Sequence, residues 1–122
     1  MTEPPAVIDC CRVLFYAEVD ETVTYTGRGC VITDGKVVDP APRLAIAENL
    51  YEDDYLVCRC DNAWNVLGVA AYDSVEKAKV RTENSYAGIT SKWLQFRELT
   101  QDERSEIEEI RLDAQRLTKP PQ

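Results

Sequence analysis

The sequence predicts an α+β fold: a mostly antiparallel, twisted sheet of five to six strands with two main helices packed on one face. Three observations predict it. Tyr55-Leu-Val-Cys-Arg-Cys60, a polar turn and the run Asn65–Tyr72 read as an antiparallel strand pair. Ser74 then opens an amphipathic stretch that places Val75, Ala78, Thr82 and Tyr86 on one stripe. Thr100-Gln-Asp-Glu103 is a capping box, in which each residue satisfies the other's amide, and it announces a second helix.

The remaining elements follow in order. No repeat or composition break divides the 122 residues, so they read as a single domain with flexible tails at 1–6 and 118–122. Val7 to Glu18 reads as one long strand, apolar on both faces from Val13 to Ala17 and therefore central. Thr22–Thr26 has strong β propensity, and Gly27-Arg28-Gly29 allows a sharp bend. The spacing of that bend does not match a phosphate-cradling loop. Cys30–Thr33, Asp34-Gly35 and Lys36–Val38 form a hairpin, because Asp-Gly supplies the two positive φ angles of a type I′ turn. Pro40 and Pro42 suit a helix start, and Arg43–Leu50 reads as a short helix; Leu44-Ala-Ile-Ala47 fits a strand equally well.

On Tyr55–Cys60, alternation puts Leu56, Cys58 and Cys60 on one face and Tyr55, Val57 and Arg59 on the other. Gly68, Ala70 and Ala71 leave room for the following helix to lie close. Ser74 is the expected N-cap and Gly88 the expected left-handed residue after the helix. A last strand carries Trp93, Leu94 and Phe96. In the C-terminal helix Ile107, Ile110, Ala114 and Leu117 form a narrow stripe, suited to docking on the sheet or to meeting a copy of itself.

Composition restricts function. The chain contains no histidine, so it lacks the usual neutral-pH base, the usual partner of a nucleophile and the commonest zinc ligand. Cys10-Cys11 and Cys58-x-Cys60 lack zinc-site spacing, so neither a metal nor a cofactor is expected. Five cysteines cannot all pair, and no basic-then-apolar leader opens the chain; reduced thiols and a cytoplasmic location are expected. The net charge of −8 opposes binding to phosphate backbones, so nucleic acid is disfavoured, and no apolar run is long enough for a membrane.

Two sets of residues stay unexplained by folding alone. Asp61, Asn62, Trp64 and Asn65 make a polar turn with a tryptophan, either a solvent-facing recognition residue or a cover for the hairpin. Lys77 and Arg81 belong to residues 73–97, the only stretch with more basic than acidic side chains. These six are the candidate binding residues. A second possibility is a pocket between sheet and helix 74–87 lined by Tyr72, Tyr86 and Trp93. No catalytic residue is assigned. Glu52-Asp53-Asp54 reads as a solvated loop.

The motifs Tyr55-Leu-Val-Cys, Trp64-Asn-Val-Leu-Gly68, Ser74-Val-Glu, Ala78-Lys79, Tyr86, Gly88-Ile89 and Trp93 resemble a pattern in small uncharacterised bacterial proteins. The resemblance covers roughly residues 55–93 and implies a bacterial α+β domain. It transfers no activity and no site residue. The expected function is a small acidic, non-catalytic binding or protein-interaction module, inhibitor- or immunity-like in its specific form, with a protein partner or a second copy of itself. The alternative is a small-molecule-binding domain or minor enzyme using the pocket.

Overall fold

The computed structural model describes residues 2–118. The chain opens with a hairpin: β1 (Val7–Ile8) pairs with β2 (Cys11–Glu18) across Asp9-Cys10. Both turn residues have positive φ, 46° and 62°, the geometry whose twist matches flanking strands. The single long strand expected over Val7–Glu18 is therefore two strands. Aspartate is enriched at positive φ but cysteine is not, and an Asp-Cys pair without glycine or asparagine gave only a weak mark of the break.

A two-residue strand β3 (Thr24–Tyr25) follows, then the hairpin of β4 (Ile32–Thr33) and β5 (Lys36–Val37), turned at Asp34 and Gly35 as expected. Next comes β6 (Arg43–Asn49), which lies in the middle of the sheet. The helix expected at 43–50 is not formed. Leu44, Ala45, Ile46 and Ala47 are all fully buried, because β6 is covered on both faces and sandwiched between β2 and a third strand, β7 (Tyr55–Cys60). Burial on both faces erases the period-2 pattern that would have identified the strand.

From β7 the chain turns into β8 (Val66–Tyr72), then α1 (Val75–Ser85), β9 (Tyr86–Ala87), β10 (Leu94–Gln95) and α2 (Gln101–Thr118). The main sheet is curled and antiparallel, in the order β1-β2-β6-β7-β8, with β10 pairing the second half of β2 beside β1. A bulge between Val13 and Phe15 frees the Leu14 carbonyl, which accepts the Phe96 amide at 2.9 Å. β9 pairs with β3 in a small separate sheet.

Both helices lie on one face. Ala78 and Val75 of α1 pack on Ile46 and Val57, while Arg111 of α2 donates to Glu48, two residues from Ile46 on the same strand face. Ser74 caps α1 through its Oγ, which accepts the Lys77 amide at 3.1 Å. Gly88 has the expected positive φ of 100°, but it precedes a short 3-10 turn, because Tyr86-Ala87 leave α1 to pair with β3. In α2 the capping box forms: Glu103 N donates to Thr100 Oγ1 at 3.2 Å, and Thr100 N to Glu103 Oε1 at 2.7 Å. Ile107 and Ala114 are buried, whereas Leu117 is exposed.

The hydrogen bond from Arg97 to Glu103 lowers that carboxyl from its ordinary 4.5 to about 2. A depressed carboxyl stabilises the fold above its unfolded value and loses that contribution as pH falls towards the folded one. Helicity lost between pH 4.5 and 2 should thus include the start of α2. Circular dichroism of Arg97→Gln, whose helix should melt at a higher pH than the wild type's, checks this.

The opposite face holds Cys11, Val13, Ala45, Ala47, Cys58 and Cys60, closed by Ala6, Ile8, Trp64 and Phe96. Residues 2–6 pack onto the domain instead of standing off it: Glu3 pairs with Arg97 at 3.0 Å, and Ala6 is buried. Of the expected C-terminal tail, residues 119–122 lie outside the described residues.

Gly68 accommodates the β4–β5 hairpin and not α1. A Cβ there would come 2.6 Å from Thr33 Oγ1 and 2.8 Å from Val31 Cγ1. Gly68→Val is therefore expected to cost about 1–3 kcal/mol by overpacking. The urea midpoint should fall, with amide shifts concentrated in residues 31–38.

Candidate functional site

A buried polar network fixes the surface around the β4–β5 hairpin. Arg59 Nε donates to Asp39 Oδ1 at 3.2 Å, with the two side chains 1% and 0% exposed. The Tyr86 hydroxyl donates to the same oxygen, and the Val31 amide donates to Oδ2 at 2.7 Å. Tyr86 in turn accepts the Ala41 amide at 2.9 Å. Asp39 thereby joins both ends of the hairpin segment to β7 and to the end of α1. Burial and the bond to Asp39 raise the Tyr86 hydroxyl far above its ordinary range. Every polar contact is directed inward, so the arrangement is a brace.

The expected turn residues serve the fold. Asp61 accepts the Ala63 and Asn65 amides at 2.8 and 2.9 Å and the Asn65 side chain at 3.1 Å, which makes the turn self-contained. These donors hold the Asp61 carboxyl below its ordinary value. The Asn62 carbonyl accepts from Arg43 at 2.8 Å. Trp64 is 6% exposed: its ring meets Tyr16 edge-on at 6.0 Å and lies under the Arg43 guanidinium at 5.3 Å. Its indole nitrogen donates to Thr2 O at 3.1 Å. Trp64 is a core residue. It packs with Cys58 and Cys60 on the sheet face opposite α1, so the turn's tryptophan and the basic helix do not share a face.

The three rings of the expected pocket serve core packing, with Trp93 packed against the cluster of Tyr86 and against the one that Tyr72 also covers. Tyr86 is fully buried in the brace, and Trp93 packs between two core clusters with its indole nitrogen buried and unpartnered. Tyr72 also meets the basic surface. With Arg28, Gly29, Arg81 and Asn84 it lines a hollow of about 280 Å³. Arg81 and Asn84 continue into a neighbouring hollow of about 440 Å³ that includes Lys77. Lys77 is engaged by Asp73 at 3.1 Å, so among the described residues Arg28 and Arg81 supply the uncommitted charge. The bend bearing Arg28 is held to α1 by Thr26, whose amide and hydroxyl donate to the Ser85 and Asn84 carbonyls at 2.8 and 2.6 Å, and by Ser85 Oγ donating to Arg28 O.

Beside this hollow the sheet ends in β8, along whose outer edge no strand pairs among the described residues. The strand contains no charged residue and no proline. Leu67 and Val69 are exposed on it, and so is the cross-strand pair Ile32 and Val37 on the hairpin lying over Gly68. Native proteins usually protect such an edge with charge, proline or a covering element, since its free amides and carbonyls invite another strand.

Comparison with protein-family models, curated proteins and solved structures finds no match to this chain. No helix of the described residues is long and apolar enough to cross a membrane. Nor do the described residues gather three or more acidic or cysteine side chains where a metal could bind.

The cysteines divide by burial. Cys11, Cys58 and Cys60 are buried and Cys10 and Cys30 exposed. Burial raises Cys11 to about 11 and Cys60 to about 12, and Cys58 further still. Thiolate is the reactive form. Ellman's reagent at pH 8 should therefore titrate Cys10 and Cys30 quickly and the other three only after denaturation.

Sequence reading missed Arg28, Asp39 and the exposed edge of β8. Arg28 and Arg81 are remote in sequence, and Asp39 lies 20 residues from Arg59. The lack of charge on Val66–Tyr72 was a visible signal, but it becomes informative only once β8 is known to be terminal.

Proposed function

We propose that this chain is a non-catalytic protein-interaction module that accepts an extended partner segment along β8. The observation that carries the reading is the uncharged terminal strand with Leu67 and Val69 exposed on it; Ile32 and Val37 are exposed on the hairpin that lies over Gly68. Strand addition gains affinity from main-chain hydrogen bonds and selectivity from alternate side chains. The hollow at Arg28 and Arg81 supplies a second anchor, matched to an acidic side chain at the end of the incoming segment. The sealed state of Asp39 and Tyr86 supports a binding role over a catalytic one, because substrate has no route to them.

The partner is another protein or a second copy of the chain. Self-pairing would place two β8 strands antiparallel, and light scattering at increasing concentration separates the two cases. Val69→Lys puts a desolvated charge in the docked strand and should weaken association at least about tenfold, equivalent to 1.4 kcal/mol. A chain that stays monomeric at high concentration and captures no protein from its host would remove the basis for the proposal.

A further inference from the structure

We infer that the groove between residues 95–99 and α2 is a binding site for a small monoanion with an apolar body, its carboxylate held by Arg12. This groove lies at the other edge of the sheet from β8 and is independent of the strand-docking proposal. Its volume is about 570 Å³, within the range of small-molecule sites. Phe96 and Ile107, both largely buried, and Leu99 form an apolar patch in it, ringed by Gln95, Arg97, Glu98, Arg104, Glu108 and Arg111.

The charges around it are unequal in their commitments. Arg97 is bound to Glu103 through both terminal nitrogens, at 2.7 and 2.8 Å, and to Glu3 at 3.0 Å. Arg104 donates to Leu99 O at 2.8 Å and lies 3.8 Å from Glu98. Arg111 donates to Glu48 at 2.9 Å. Arg12 has no such partner. It stands directly opposite Glu48 in the β2–β6 register, but Glu48 is taken by Arg111 from α2. The result is an arginine with no acceptor among the described residues and with its Nε buried.

Arginine cannot shed its proton to escape this position, and a buried donor without an acceptor is costly. One uncommitted guanidinium beside the patch of Phe96, Leu99 and Ile107 matches one negative charge on a short apolar body. A carboxylate can take two parallel N–H donors from the fork. Glu108 also lines the groove and is the competing acid on its rim.

Hexanoate is a suitable probe, with hexanol as its uncharged counterpart, followed by amide and arginine Nε NMR of the full chain. The expected result is saturable shifts at Arg12, residues 95–99 and Ile107 with hexanoate and much smaller ones with hexanol. Arg12→Gln should bind at least tenfold more weakly with a dispersed, folded spectrum, and Arg12→Lys, which keeps charge without the fork, should fall between. Glu108→Gln should bind at least as well as wild type. Equal responses to hexanoate and hexanol, undiminished binding by either Arg12 variant, or binding by Glu108→Gln alone would each overturn the assignment. The last result would mean that Glu108 itself fills the site.

Discussion

Arg59→Met is expected to destabilise the protein by about 3–5 kcal/mol, because breaking a buried pair strands the remaining charge. Asp39 would keep only the Val31 amide and the Tyr86 hydroxyl as donors, at 0% exposure. Native domains of this size retain about 5–15 kcal/mol in total, so the change removes a large share of stability. The urea midpoint should drop with the slope unchanged, since the same surface is exposed on unfolding. Adding Asp39→Asn should recover part of the loss, because the stranded charge is removed while Val31 keeps an acceptor. A single-mutant loss below about 1 kcal/mol, the range of surface ion pairs, would show that the brace is not sealed as described. The variant should also loosen the β4–β5 hairpin, since Val31 and the Asp39 backbone bound its two ends.

Where structure depends on near neighbours, the sequence was readable. Ser74, Thr100 with Glu103, and Asp34-Gly35 act within four residues of themselves, and each forms the predicted contact or turn. β7 was also readable, although it too is buried on both faces, because the polar turn Asp61–Asn65 marks it as one arm of a strand pair with β8. Central β6 was not, since a strand buried on both faces looks like any apolar run. Asp9-Cys10 adopts a turn in which Asp9 was a weak signal and Cys10, at positive φ without being glycine or asparagine, gave none. The candidate surfaces are less readable still. They arise from register and topology: β8 ends the sheet, Arg111 takes Glu48 from Arg12, and Arg28 meets Arg81. None of these depends on a local motif.

Trp64→Ala is expected to cost about 3–5 kcal/mol, the usual loss for removing a buried indole. The substitution would empty the space beside Tyr16, uncover Arg43 and free the Thr2 carbonyl. Trp64 adopts a φ of 65°, which alanine tolerates no better, so no relief of backbone strain offsets the loss. Asp61 keeps the turn in shape through its own hydrogen bonds, so the damage should spread into the core around Cys58 and Cys60 and spare the loop. Trp64→Phe should recover part of the stability by refilling the space, while still losing the bond to Thr2. Thermal unfolding of both variants tests this directly. A recognition residue would behave in the opposite way, with stability nearly unchanged and partner binding lost. If Trp64→Ala lowered stability by less than about 1 kcal/mol, the indole would belong to the surface after all, and the face opposite α1 would need another cover.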